Sequence, residues 1–461
     1  MGHQTRPLRE RIASAGGWAF AAKIVTSLLT VCLTAIVARI ITPSDLGTFF
    51  LCFSVITFLS LIARFGLDQV AVRLVSENIT IGNFSCVKPI VLKVLLLNSL
   101  FLLIISLILL LGAADWLTSS FFKNSLMANI PELLILWLIV ITLQLLIPDI
   151  FRGFRDFRLA SLFQGTTIFG SALTGTVVGS ILIFIWICYG AISLPNLIKI
   201  IVLAGSSGVL VSCLLLIKKL QTLPAGSSVI PSIELLQIGG PILIINLSMF
   251  ALMQVDIWVI GALRPEAELA LYGAATRIIK LITIPLIVVN EVVAPVIAEL
   301  NVQSEKQKLE RTLRGAASIA SVPAILAIIL LFMFGGPIMS ILFGEFYGQG
   351  AFILCILGTG QVVNVWAGSC GYTLIMTGHH KTMMFITVAS GVVATLGCIM
   401  VAENHGAEGV AAMASLAMIV QNIAMLLSVK IHCQVWTHAS PLIAYQELRR
   451  LWQHLLRKHS Q

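Results

Sequence analysis

The sequence predicts an all-α, polytopic membrane protein of about twelve transmembrane helices, arranged as two six-helix repeats around a central cavity. Of its 461 residues, 58% are hydrophobic and 11% are charged, and the mean hydropathy is +1.01. A soluble domain carries about 25% charged residues, so this composition excludes a sizeable soluble domain. Apolar runs of the length that spans a bilayer, about 20 residues, follow one another almost from end to end. The runs are continuous and do not alternate in polarity over about 10 residues, which favours helices over barrel strands.

Short polar gaps divide the chain into twelve predicted helices. The first apolar run follows Arg6, Arg9 and Arg11, as the core of a signal peptide would. It is longer than the roughly 7–15 residues of such a core, and no small-residue cleavage site follows, so we expect a retained helix. The predicted bounds are 16–41, 46–65, 89–112, 131–150, 161–188, 197–217, 235–262, 270–298, 315–334, 351–376, 383–402 and 410–430.

Basic residues concentrate in alternate loops, for example in residues 152–158 and 306–314, whereas the other loops carry mainly acidic residues such as Asp45 and Glu266. By the positive-inside rule, both termini are expected in the cytoplasm. The net charge of +9 is then explained by inner loops that face anionic lipids, and its scatter gives no support to a nucleic-acid partner. The nine cysteines contain no CxxC pair, so neither a disulfide framework nor a metal site is expected.

The two halves of the chain resemble each other. Gly16-Gly17 opens the first predicted helix and Gly239-Gly240 opens the seventh, while "FRGFRDF" around Gly153 matches "MTGHHKT" around Gly378 at a similar offset. Each half contains an even number of helices, which predicts parallel repeats. We therefore expect a first six-helix bundle at 1–220, a cytoplasmic linker at 221–234, a second six-helix bundle at 235–434 and a basic cytoplasmic tail at 435–461.

Five charged side chains fall well inside the predicted helices, where each costs a few kcal/mol unless it faces a cavity or a partner. They are Lys23, Asp256, Arg277, Lys280 and Glu291. Arg277 and Lys280 lie three apart, on one helix face, and would attract an anionic substrate group. Two other interpretations stay open: they anchor the helix at the outer interface, or they pair with Asp256 for folding alone. Lys23 either lines the cavity or extends to the headgroups.

Amide and hydroxyl side chains add hydrogen-bonding groups to three of the predicted helices in the second half. Such groups join helices or contact sugars, and the first is the better default. They are Asn246, Ser248, Gln254, Asn290, Gln361, Asn364 and Ser369. HExxH, GxSxG and P-loop motifs are missing from the sequence, and the longest predicted outer segment runs only from about 112 to 130. We therefore expect no enzyme and no cofactor, and ATP-driven transport by this chain alone is disfavoured.

Three stretches carry a resemblance to a known family. Arg39, Pro43, Asp45 and Gly47 follow the first helix, and "FGL" and Arg73 come after them. In the second half, "QVDIWVIGAL" precedes "ELALYGAATRI", and "HGAEGVAAMAS" leads into the last helix. These stretches resemble the Wzx-like oligosaccharide flippases, the polysaccharide transporter branch of the multidrug/oligosaccharidyl-lipid/polysaccharide exporter superfamily.

The resemblance implies a secondary transporter of the bacterial inner membrane. It would flip an undecaprenyl-diphosphate-linked oligosaccharide by alternating access, for O-antigen (lipopolysaccharide), capsule or exopolysaccharide biosynthesis. Arg277, Lys280 and Lys23 are then candidates for the anionic groups, and Asp256 and Glu291 for coupling to a proton or sodium ion. Anionic lipids and polysaccharide polymerase machinery are expected partners.

Other functions stay open alongside the flippase prediction. The main alternative is an ion-coupled multidrug antiporter, for which acidic cavity residues would be expected; here three intramembrane cations stand against two anions. A membrane-embedded polysaccharide polymerase or glycosyltransferase is less favoured. A flippase for the peptidoglycan precursor commonly has extra helices beyond the twelve predicted here.

Overall fold

The computed structural model describes residues 25–113, 116–122, 127, 130–165, 167–224, 231–303 and 305–440. This part of the chain is nearly all helical, and its only β-type pairing is an isolated bridge between Thr167 and Gly170. The chain divides into two compact units, Met1–Ala270 and Leu271–Gln461. The predicted bundle boundaries concern the sequence repeat and stay a prediction.

Among the described residues, nine helices lie wholly within the first unit, and they are numbered here in chain order: α1 Val25–Ile40, α2 Pro43–Arg64, α3 Leu67–Ile81, α4 Phe84–Ile108, α5 Pro131–Gly153, α6 Phe157–Phe163, α7 Ala172–Cys188, α8 Leu194–Gln221 and α9 Ser232–Leu263. Short π-helical segments follow α4 at Leu109–Ala113 and Trp116–Phe121. Helix α10, Glu266–Ile282, crosses the boundary. The second unit continues with α11 Ile284–Val302, α12 Lys306–Phe343, a 3₁₀ turn Glu345–Gly350, α13 Ala351–Ala367, α14 Cys370–Met376 and α15 His380–Cys433.

The all-α, multi-span prediction is confirmed. Among the described residues, eight helices are long and apolar enough to cross a membrane, and α1 and α7 are shorter apolar helices. The longest, α15, contains a break at Gly406, where φ is 57°. Its two legs run antiparallel, since Cys398 Sγ donates to the Val410 carbonyl at 3.8 Å and Gln421 Nε2 donates to Thr387 Oγ1 at 3.4 Å. The last two predicted helices are these two legs.

Three predicted helices are interrupted, each at a residue with a local physical reason. The fifth predicted helix is divided between α6, which ends at Phe163, and α7, which begins at Ala172, where Ser171 and Thr174 form a capping box. The eighth is interrupted at Thr283, two residues before Pro285. The tenth is interrupted at Gly368, whose φ of 73° lies in the left-handed region.

Helices α2 and α9 pack antiparallel along their length within the first unit. A Cβ on Gly47 would lie 1.9 Å from the Glu266 carbonyl oxygen, and one on Gly66 would lie 2.6 Å from the Gly239 carbonyl oxygen. Between these points, Trp258 Nε1 donates to Ser54 Oγ at 2.7 Å. Only glycine allows backbones to approach this closely, and such approach is a main source of helix association where lipid replaces water.

Each unit has its own apolar core among the described residues. In the first unit it joins α3, α4, α5 and α8, with fully buried members such as Leu67, Leu146 and Phe151. In the second it joins α11 to α15, around Ile297 and Leu374. The first of these cores fixes α3 against α5 and so brings the polar ends of α2, α3 and α5 together.

Candidate functional site

A polar cavity of about 610 Å³ lies in the first unit, where the end of α2 meets α3, α5 and α9. Three arginines, two aspartates and two amides contribute to its wall, which leaves one excess positive charge. The lining residues are Leu61, Arg64, Asp68, Gln69, Val72, Arg73, Asp149, Arg152 and Asn246.

Arg64 and Asp68 form an ion pair across the turn that joins α2 to α3. The turn places Phe65 and Gly66 in left-handed conformations, with φ of 49° and 72°, and so brings positions four apart into contact. The two side chains are only 9% and 5% exposed. Asp68 Oδ1 also accepts from the Gln69 N–H at 2.8 Å, at the start of α3, where the helix dipole favours a carboxylate. The pair is therefore a fixed part of the wall.

Asp149 and Arg152 form a second pair at the end of α5. Arg152 Nη1 donates to Asp149 Oδ1 at 2.8 Å, and its Nη2 donates to Gln164 Oε1. Asp149 is nearly buried, whereas the Arg152 side chain is 39% exposed. Arg152 thus keeps part of its guanidinium accessible while its orientation is fixed on two sides.

Among the three arginines that line the cavity, Arg73 has the most exposed side chain. Its side chain is 66% exposed, and its Nε lies 4.0 Å from Glu77 Oε2. Beside it, Gln69 Nε2 donates to Asn246 Oδ1 at 3.4 Å, which connects α3 to α9. The wall therefore offers guanidinium donors for an anion next to amides that suit hydroxyl groups.

The residues assigned from the sequence fall in several places. Lys23 lies outside the described residues, and so does the side chain of Glu291, whose backbone is in α11. Asp256 is in the first unit, half-buried, and accepts from the Ile257 N–H at 2.9 Å. Arg277 and Lys280 are in the second unit; Arg277 Nη1 donates to the Gly273 carbonyl at 3.1 Å, and Lys280 is exposed. Their binding and coupling roles stay predictions.

The paired charges of the cavity are not among the sites predicted from the sequence. Arg64, Arg73 and Arg152 belong to the basic segments predicted to face the cytoplasm, Arg73 also belongs to a motif of the family resemblance, and no site role is predicted for these three or for Asp68 and Asp149. The spacing of opposite charges is the sequence signal for these pairs: Arg64 and Asp68 are four residues apart, and Asp149 and Arg152 are three residues apart. Asp149 even lies inside a predicted helix, at its last turn.

Several of the membrane amides join helices. Ser54 Oγ donates to Gln254 Oε1 at 3.3 Å, between α2 and α9. Ser369 Oγ donates to Asn290 Oδ1 at 2.6 Å, between the α13–α14 break and α11. These contacts agree with the default interpretation that such groups hold helices together.

The joining segments after α1 and α9 meet within the first unit. Ser44 Oγ donates to Glu266 Oε2 at 3.4 Å, at a separation of 222 residues, which is close to the repeat offset. Arg264 Nη2 donates to Glu268 Oε1 at 2.6 Å, and this hydrogen bond raises the pKa of the Arg264 guanidinium. The two segments that the sequence predicts to correspond in the repeats therefore contact each other.

Two family models match the sequence. The model described as polysaccharide biosynthesis protein matches residues 13–301, which is more than half of the chain. The model described as MatE matches residues 241–400. No curated protein matches the sequence.

Solved transporter structures share the fold. An inward-facing multidrug resistance MATE family transporter of the MOP superfamily is 16% identical and covers 88% of this chain and 94% of its own, with a TM-score of 0.73. A MOP superfamily transporter from Pyrococcus furiosus is 17% identical, covers 92% and 95%, and has a TM-score of 0.59. The lipid II flippase MurJ is 16% identical, covers 95% and 92%, and has a TM-score of 0.57.

At these identities the structures establish the fold, and the family model establishes the family. Both agree with the superfamily to which the sequence motifs pointed, whose members are transporters and flippases, not enzymes. The chain belongs to the polysaccharide biosynthesis protein family, among the membrane transporters of the MOP superfamily.

Proposed function

We propose that this transporter flips an undecaprenyl-diphosphate-linked oligosaccharide across the bacterial inner membrane by alternating access, for surface polysaccharide biosynthesis. The observation that carries the proposal is the family match over residues 13–301, which include every residue of the polar cavity. In this proposal both termini are cytoplasmic, and the cavity receives the substrate from that side.

The cavity wall suits the two polar parts of such a substrate. A diphosphate needs several donors, and Arg73 and the accessible part of Arg152 supply guanidinium groups that bind phosphate oxygens in pairs. Gln69 and Asn246 supply amides for sugar hydroxyls. A volume of about 610 Å³ accommodates a headgroup and is typical of ligand sites.

The paired charges also make the site selective. Arg64 is already neutralised by Asp68, so the accessible charge comes from Arg73 and Arg152. Each arginine of the wall has a carboxylate partner, but Glu77, the partner of Arg73, does not line the cavity, so the lining residues carry one more cation than anions and favour a diphosphate over a cationic drug.

Further contacts in this proposal come from the residues assigned by sequence. Arg277, Lys280 and Lys23 are our candidates for anion contacts at another stage of the cycle. Asp256 and Glu291 are our candidates for coupling to a proton or sodium ion. Polysaccharide polymerase machinery would take up the flipped product.

Complementation of a deletion strain tests the proposal. We expect Arg73→Gln to reduce surface polysaccharide about tenfold or more, since a hydrogen bond to a charged group contributes about 1.5–3 kcal/mol. Lipid-linked oligosaccharide should accumulate in the same cells. Arg158→Gln is the matched control, because Arg158 is exposed on α6 and does not line the cavity. Wild-type polysaccharide with Arg73→Gln would contradict the assignment of the cavity.

Multidrug antiport is the second candidate function, favoured by the MatE match over residues 241–400. Deletion would then sensitise cells to cationic drugs and leave surface polysaccharide unchanged. The flippase proposal predicts the opposite pattern, so measuring both readouts in one strain separates the two functions.

A further inference from the structure

We propose that His379 and His432 form a two-histidine site for a divalent transition-metal ion of the class of Zn²⁺, Ni²⁺ or Cu²⁺. His379 is the residue just before α15, and His432 lies in its last turn. The pair therefore joins the two ends of the α15 hairpin, in the second unit, and the inference does not depend on the proposed transport function.

The distance between the centroids of the two rings is compatible with a shared ion. Their centroids are 4.8 Å apart, and the ring planes are inclined by 55°. When two imidazoles bind the same ion with metal–nitrogen distances of about 2.1 Å, their ring centroids lie about 5 Å apart. This holds for nitrogen–metal–nitrogen angles between the square-planar and tetrahedral values. His432 is exposed and His379 is half-exposed, so an ion can reach the pair from solvent.

A hydrogen bond at Nδ1 orients each of the two rings. Nδ1 of His432 lies 2.8 Å from the Ser428 carbonyl, which can only accept, so Nδ1 carries the proton. Nδ1 of His379 lies 3.1 Å from Thr377 Oγ1, whose own proton is donated to the Thr373 carbonyl at 2.8 Å. Nδ1 is therefore the donor there too. With the proton on Nδ1, each ring offers the Nε2 lone pair to a metal, and the bond at Nδ1 fixes the ring's orientation, as in metal sites generally.

The site has two protein ligands. Among the described residues, no three His, Cys, Asp or Glu side chains group to hold a metal ion, so water would complete the coordination. The thiol of Cys433 lies 3.3 Å from Thr377 Oγ1. The ammonium of Lys430 lies over the Trp436 ring, 5.2 Å from the centroid.

A bound ion would brace the second unit. The turn at Thr377 and Gly378 ends α14, the short helix after the break at Gly368, and leads directly into His379. Coordination by both histidines would fix this turn to the end of α15. Metal binding would therefore stabilise the unit against unfolding, because the folded chain alone brings the two ligands together.

Titration of the untagged, full-length protein in detergent with Zn²⁺, and separately with Ni²⁺, tests the proposal. Calorimetry gives the affinity, and the melting temperature gives the stabilisation. We expect His379→Gln and His432→Gln each to weaken binding at least tenfold and to abolish the melting shift. His405→Gln is the matched control, because His405 is an exposed histidine at the other end of the hairpin, and it should bind like wild type.

Two further variants separate ligands from neighbours. Thr377→Val removes the hydroxyl that orients His379 and should weaken binding about tenfold or more. Cys433→Ser should leave the affinity unchanged, and a tenfold loss there would contradict a two-histidine site.

Unchanged affinity in both histidine variants would overturn the proposal. Melting in the presence of a chelator shows whether each variant is folded. If either is not, protection of His379 and His432 in the wild-type protein from diethyl pyrocarbonate by Zn²⁺, read by mass spectrometry, decides the question: protection supports the site, and equal labelling contradicts it.

Discussion

Arg64 and Asp68 are the least exposed charged pair among the ion pairs of the described chain, and their stability effect can be tested against a similar exposed pair. Asp68→Asn leaves the Arg64 charge without a carboxylate inside the protein, which we expect to destabilise it by about 3 kcal/mol. Glu77→Gln breaks the Arg73 pair, which has the same spacing but is more than half exposed, and should cost about 0–1 kcal/mol. Unfolding in detergent measures both, and equal losses would contradict the burial argument.

Arg277 and Lys280 carry a prediction that comes from the sequence. Arg277→Ala and Lys280→Ala should each reduce surface polysaccharide, because cations inside a spanning segment usually face a cavity. The amount of protein in the membrane fraction controls for failed insertion. Unchanged polysaccharide in both variants would show that the two cations serve only the helix itself, as the Arg277 contact with the Gly273 carbonyl would allow.

Only some of the candidate side chains could be predicted residue by residue. Asp256 and Arg277 stand out in the sequence because each interrupts a long apolar run, and their roles stay predictions. Arg64 and Asp149 were missed because they lie at helix ends, where charges are common, and are 85 residues apart in the sequence. Only the tertiary fold brings them to one cavity.

Among the helical elements, the turn between α2 and α3 makes the sharpest prediction. Gly66→Ala should destabilise the protein more than Gly82→Ala. Both glycines have left-handed φ, of 72° and 80°, so alanine costs about 1–2 kcal/mol at either site. A Cβ at Gly66 would also lie 2.6 Å from the Gly239 carbonyl, whereas nothing lies within 4 Å at Gly82, so Gly66→Ala should cost about 1–3 kcal/mol more. Thermal unfolding of the two variants checks this, and similar losses would argue against tight α2–α9 packing.

The positions of long helices could be predicted from the sequence, whereas the breaks inside predicted helices could not. Long apolar runs located α2, α5, α8 and α9 within a few residues, because bilayer thickness sets their length. The breaks at Thr283 and Gly368 lie inside equally apolar sequence, and membrane helices tolerate glycine and proline without breaking.

For the whole molecule, the family and the fold agree on a transporter, and the polar cavity of the first unit gives the proposal its chemistry. In this proposal the guanidinium groups of the wall bind an anion and its amides bind sugars, which suits a lipid-linked oligosaccharide better than a cationic drug. The sequence alone led to the same class of substrate from other residues, so the cavity and the helix cations can be tested independently.

Translocation in vesicles tests the central claim most directly. Purified protein is reconstituted with fluorescent undecaprenyl-diphosphate-linked oligosaccharide, and the fraction that crosses the bilayer is followed by quenching from outside. We expect transport by the wild type and by Arg158→Gln, and transport about tenfold slower or less with Arg73→Gln. Vesicles in which the wild type leaves this lipid in its original leaflet, while it moves a cationic drug, would contradict the account.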